Sequence, residues 1–193
     1  TNSMFFEATA FNQNIGSWEI KNVKDTSSMF ANAKAFNQNI GSWQVDAVEK
    51  MPEMFLNAHA FNQDIGSWQV ANVKDMSNMF YGTKKFDQDL SRWQVGEVRN
   101  MVGMFARSVK FNQDLNSWNV RNVTNMQGMF ELSEGFNKDL NGWDVGNVRN
   151  MKQMFYKSLK FNRDLSGWDV QTVTTYENFD STAAEWVQRN QWC

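Results

Sequence analysis

One ten-residue phrase returns at an unbroken interval of 25 residues. It reads Phe-Asn-Gln-Asn-Ile-Gly-Ser-Trp-Gln-Val from Phe36, and variants begin at Phe11, Phe61, Phe86, Phe111, Phe136 and Phe161. Strict self-similarity at this period marks an array of stacked coils, each too small to bury its apolar face alone. Residues below carry their position in the unit, so that Phe11, Phe36 and Phe61 all occupy position 11. The chain opens with Thr1-Asn2-Ser3-Met4-Phe5, which matches Thr26-Ser27-Ser28-Met29-Phe30. The reading is therefore of residues 1–176 as seven to eight coils, the N-terminal one incomplete, followed by a C-terminal helical cap over 177–193. Amphipathic spacing in Ser181–Arg189, with Trp186 and Trp192, suggests that cap.

Apolar residues are fixed by position. All 12 Met fall at positions 1 and 4, and seven of the 9 Trp at position 18. In Asp75-Met76-Ser77-Asn78-Met79-Phe80 and on to Phe86 they recur at i, i+3, i+4, i+7 and i+10, the stripe of a short helix. Asp25, Asp75, Asn100, Asn125 and Asn150 stand where an N-cap would, and Pro52 falls in the first turn. In Leu90-Ser91-Arg92-Trp93-Gln94-Val95, Trp93 and Val95 alternate with polar residues, the period of a brief strand. These readings predict an α/β solenoid of 25-residue coils with a parallel sheet on one face and short helices on the other. A parallel β-helix is the alternative. The core is expected to hold Phe36, Trp43, Phe61, Trp68, Phe86, Trp93, Phe111, Trp118, Phe136, Trp143, Phe161 and Trp168.

The unit Met-Phe…Ala…Phe-Asn-Gln-Asp-Leu…Trp-Asp-Val…Val resembles the BspA-like leucine-rich-repeat surface proteins, including mycoplasma lipoproteins of 25-residue repeats. Leu140-Asn141-Gly142-Trp143-Asp144-Val145 follows the leucine-rich pattern, with Trp143 and Val145 in place of two leucines. The resemblance implies a leucine-rich-repeat-like fold, a cell-surface or extracellular setting and a role in adhesion or protein binding. It brings no catalytic residues. Ligands of leucine-rich repeats sit on the exposed sheet face, which here is position 19: Glu19, Gln44, Gln69, Gln94, Asn119, Asp144 and Asp169.

Composition narrows the function classes. Net charge is −2, and neither half of the chain is basic enough to favour nucleic acid. No apolar run reaches the ~18 residues of a membrane span. One His and one Cys leave little material for catalysis, metal or cofactor chemistry, so a non-enzymatic module without cofactors is expected. Its partner would be a protein, with a glycan as second option. A structural subunit that assembles through the ends of its stack is the alternative.

Three further features each have two readings. At position 14, Asp64, Asp89, Asp114, Asp139 and Asp164 either cap their own turns or hold calcium between coils. The cations Lys34, Lys84, Lys85, Arg107, Lys110, Lys157 and Lys160 either complement helix C-termini or meet an anionic partner. Cys193 is a free thiol or an intermolecular disulfide. His59 lies on a variable exposed position, and Asn122-Val123-Thr124 is a glycosylation sequon.

Overall fold

The computed structural model describes residues 2–180. These form a stack of 25-residue coils around one apolar core. Among the described residues there are no helices and no strands, only isolated parallel bridges that join position 25 of successive coils from Asp25 to Thr175. The α/β solenoid is thereby overturned. So is the parallel β-helix, whose sheets would need extended strands rather than single bridges.

The backbone of one coil explains why a helical stripe makes no helix. Tyr81, Thr83 and Met79 donate their amides to the carbonyls of Asn78, Phe80 and Met76, three residues back. The amides between them point the other way. Met76, Asn78, Phe80 and Gly82 donate to Asn100, Val102, Met104 and Ala106 of the next coil, at 2.7–3.1 Å. An α-helix would send every amide to the carbonyl four residues back. Here alternate amides close local turns and the rest join coils. The φ angles lock this in: position 3 is left-handed in every coil, as at Asn78 (φ 53) and Gly103 (φ 58), and so is position 7, as at Asn32 (φ 61) and Gly82 (φ 69). A right-handed helix admits no such residue in its interior. Consecutive β-turns of four residues place apolar side chains inward at 1, 4, 5 and 8, the same spacing a helix would give.

Pro52 fits the corrected geometry. It follows Met51 in a turn closed by Met54 N–H to Met51 O (3.3 Å), with left-handed Glu53 (φ 59) third. That is the proline position of a type II turn. The expected N-cap residues also find a role. Asp25, Asp75, Asn100, Asn125 and Asn150 each accept the amide two residues on, at 2.9–3.2 Å, and so start a turn instead of a helix.

A second backbone ladder runs along position 24, as Lys74 N–H to Glu49 O and Arg99 N–H to Lys74 O (both 2.9 Å), and between positions 11 and 18 side chains take over. Indoles step 6.3–6.5 Å from coil to coil between Trp43 and Trp168, with planes only 2–4° apart. Backbone ladders need strands about 4.8 Å apart. The wider step leaves a gap that longer groups close. Each indole N–H donates to the position-15 carbonyl of the preceding coil, from Trp43 to Ile15 O (3.1 Å) through Trp168 to Leu140 O (2.9 Å). At position 12 each side-chain oxygen accepts the next coil's amide: Asn37 accepts from Asn62 (2.9 Å) and Asn62 from Asp87 (3.0 Å). Asp87 accepts from Asn112 at 2.9 Å, so only an acceptor is required there. Gln63, Gln88 and Gln113 add a second rung.

The core is a ladder of aromatic rings. Phe36, Phe61, Phe86, Phe111 and Phe136 are fully buried, Phe161 is 6% exposed, and Trp43, Trp68, Trp93, Trp118, Trp143 and Trp168 are 2–6% exposed. Within a coil the two Phe rings stack closely, as Phe80 on Phe86 at 4.2 Å. Position 8 drifts from Ala33 and Ala58 to buried Thr83, Ser108, Ser133 and Ser158. Their hydroxyls are satisfied: Ser108 donates to Phe80 O at 2.5 Å, and Ser133 and Ser158 bond the Phe105 and Phe130 carbonyls. The cap expected over 177–193, including Trp186, Trp192 and Cys193, lies from residue 181 onward outside the described residues.

Candidate interaction faces

Position 19 is exposed in every coil, while Trp at 18 and Val at 20 turn inward in the central ones. Glu19, Gln44, Gln69, Gln94, Asn119, Asp144 and Asp169 therefore form one outward row. Alternation at 18, 19 and 20 survives without a strand, because the turns that end at Trp93 and Val98 (Leu90 O and Val95 O accepting at 3.0 Å) fix both inward side chains. Members of the row act in local contacts as well. Gln69 donates to Ser67 O (3.2 Å), Asn119 accepts from Arg121 N–H (3.2 Å), and Asp144 pairs with Arg121 at 3.8 Å.

The row is not uniform. Around its centre lies a polar groove of about 490 Å³ bordered by Arg92, Gln94, Glu97 and Asn119. Its cause is compositional. Position 21 narrows to Ala71 and Gly96 between Asp46 and Arg121. In the same coil Arg92 occupies a position held by Ser or Gly in the others, and Glu97 replaces the usual Asn or other small residue. Both are exposed. Sequence reading passed over these two residues. The available signal was departure from their columns, which repetition of the rest makes visible.

The position-14 carboxylates serve their own turns. Asp64, Asp89, Asp114, Asp139 and Asp164 each accept the amide two residues on, at 2.8–3.0 Å. Asn14 and Asn39 do the same. The Ser91 amide on Asp89, with help from Ser91's hydroxyl, holds this carboxyl below the usual carboxylate range. Among the described residues no group of three His, Cys, Asp or Glu is arranged to hold a metal ion.

The cation row lost its helical explanation with the helices. Lys34, Lys84, Lys85, Arg107, Lys110, Lys157 and Lys160 are exposed, at positions 7, 9 and 10 beside a turn. No macrodipole exists there to attract them. Arg107 lies over the Tyr81 ring (5.8 Å) and Lys157 over Tyr156 (5.2 Å), which places both tyrosines in this row. His59 is held below its ordinary 6.5, first by partial burial and then by Lys84 and Lys34. Elsewhere, Glu49 joins two coils through Lys74 (3.2 Å) and Lys24 (3.4 Å). The Lys74 hydrogen bond comes first in lowering its carboxyl. Within the sequon, Asn122 Nδ2 donates to Gly96 O at 2.7 Å and Thr124 Oγ1 to Arg99 O at 3.2 Å, so both act as coil-to-coil ties.

The repeat that builds these faces matches, over residues 1–108 and again over 86–192, the family described as "Mycoplasma protein of unknown function, DUF285". The chain belongs to the DUF285 family. The two matches together span almost the whole sequence and agree with its repeat character. Among curated proteins none matches significantly. No helix among the described residues is long and apolar enough to cross a membrane.

Proposed function

We propose that this chain is a non-enzymatic repeat module of the cell surface or extracellular space, and that it binds a protein along position 19. The observation that carries the reading is the central groove. Arg92 and Glu97 bring opposite charges to the two sides of a row of exposed amides, where small residues at position 21 open the surface. Amides there offer donors and acceptors to a polar segment, and the two charges fix its direction. A glycan, rich in hydroxyls, is the second ligand class such a row suits. Resemblance to BspA-like surface proteins supports the extracellular setting and the adhesive role.

Beads coated with the chain, presented to cultured animal cells, test this. Binding is expected for the native chain and is lost on Gln69→Lys with Gln94→Lys, at an unchanged far-UV spectrum. Undiminished binding by that double variant removes the position-19 row from the account.

A further inference from the structure

The segment from position 11 to position 14 carries opposite charges on its two borders. Before it stand the exposed cations Lys84, Lys85, Arg107 and Lys110. Between positions 5 and 11 of these two coils there is no acidic residue. After it stand the exposed Asp89 and Asp114. None of the four cations forms an ion pair among the described residues. The borders are about four residues apart, at most ~14 Å of extended chain. Between them runs the ladder of positions 12 and 13, half-buried and bonded within the stack, with Asp87 in place of Asn and its Oδ1 accepting from Asn112 N–H and Gln113 Nε2.

Each row taken alone repels itself, since like charges follow one another coil by coil. Each also meets its complement on an identical chain at an identical spacing, because one 25-residue period sets both. A two-fold axis parallel to the stack exchanges the borders. The cations of one copy then face the aspartates of the other at the same level, twice over. An antiparallel pair would set like against like. We propose that two copies of this chain associate side by side and parallel through this face, with Lys84 and Lys85 of one copy against Asp89 of the other and Arg107 and Lys110 against Asp114. The contact is isologous and closes at two copies. Glu134 stands in the cation row of the following coil and would oppose Asp139, which confines the contact to the central coils. The contact uses none of the residues that border the groove at Arg92 and Glu97, so this inference stands apart from the proposed function.

Sedimentation velocity on the full chain tests it. A dimer is expected at about 0.1 M salt and a monomer at about 1 M, where the screening length falls from about 10 to about 3 Å. Lys84→Glu with Lys85→Glu, and separately Asp89→Lys, should each weaken self-association by at least ~10-fold. An equimolar mixture of the two variants should recover it, since reversed charges then face each other. Asp89→Asn keeps the turn acceptor, as Asn39 does naturally, and should weaken the dimer without changing the far-UV spectrum. A native chain that is monomeric at low salt overturns the proposal. So does a dimer that ignores the reversals, or a mixture that fails to recover. Retention of the monomer on a sulfated-polysaccharide resin, lost in the lysine variant, would assign the cation row to a polyanion instead.

Discussion

Trp93→Ala probes what joins the coils. The side chain is 2% exposed, its ring lies 6.4 Å from both Trp68 and Trp118 and 6.2 Å from Phe80, and its N–H donates to Ile65 O at 3.0 Å. A Trp buries about 200 Å², and at about 25 cal/mol per Å² that area contributes up to about 5 kcal/mol. Truncation of a buried Trp costs about 3–5 kcal/mol, and Ile65 O keeps the Trp68 amide at 3.1 Å, so no carbonyl is left bare. A loss of about 3–5 kcal/mol is expected, a large part of a typical total stability of about 5–15 kcal/mol. Trp18 supplies the comparison. It is 41% exposed, so Trp18→Ala should cost only about 1–2 kcal/mol. Urea unfolding followed by far-UV circular dichroism reads both. Because each coil touches only its neighbours, the Trp93 variant should also broaden or split the transition. Equal losses in the two variants, with a single sharp transition for each, would refute the indole stack as the source of cohesion.

Three smaller perturbations follow from other contacts. Asn62→Ala removes the acceptor for Asp87 N–H and Gln88 Nε2 and should cost about 1–3 kcal/mol, whereas Asn62→Asp should be nearly neutral in the same urea assay, as Asp87 is one coil on. Gly103→Ala puts a Cβ 2.2 Å from Asn78 Oδ1 at a left-handed φ of 58 and should lower thermal stability; adding Asn78→Gly, which removes that oxygen and accepts position 78's own left-handed φ of 53, should restore part of the loss. His59 should titrate below 6.5 by proton NMR, and Lys84→Glu should move the midpoint up. Its folded form disfavours the charged ring, so this contribution to stability is complete above the ordinary value and declines as pH falls below it toward the folded one.

The period, the inward columns and the outward row could be read directly from the chain, because repetition averages away the accidents of single residues. The local backbone could not. Apolar residues at Met76, Met79, Phe80 and Thr83 satisfy a helix and a run of four-residue turns equally well, since both return the chain to one side every three or four residues. The discriminating signal was polar and small: Asn78, Gly82, Gly103 and Gly128 sit where a helix would have its interior, and each takes a left-handed φ. Alternation at Trp93, Gln94 and Val95 likewise gave the correct facing and the wrong element. Periodicity reports which way side chains point, and it is silent on whether backbone amides or an indole N–H bridges to the next coil. Once the helix is gone, the lysines and arginines at positions 7–10 lose their local explanation, and from that the charged borders of the Asn–Gln segment follow. Arg92 and Glu97 were hidden for the opposite reason, because attention to what repeats passes over the residues that do not.

The central claim is that alternate amides at positions 1–7 bond between coils instead of within a helix. Scalar coupling across hydrogen bonds in the ¹⁵N,¹³C-labelled chain tests it most directly at Phe80. Coupling is expected from the Phe80 amide nitrogen to the carbonyl carbon of Met104, whose oxygen the amide reaches at 2.9 Å. Coupling to the carbonyl of Met76, four residues back, would restore the helix and contradict the account.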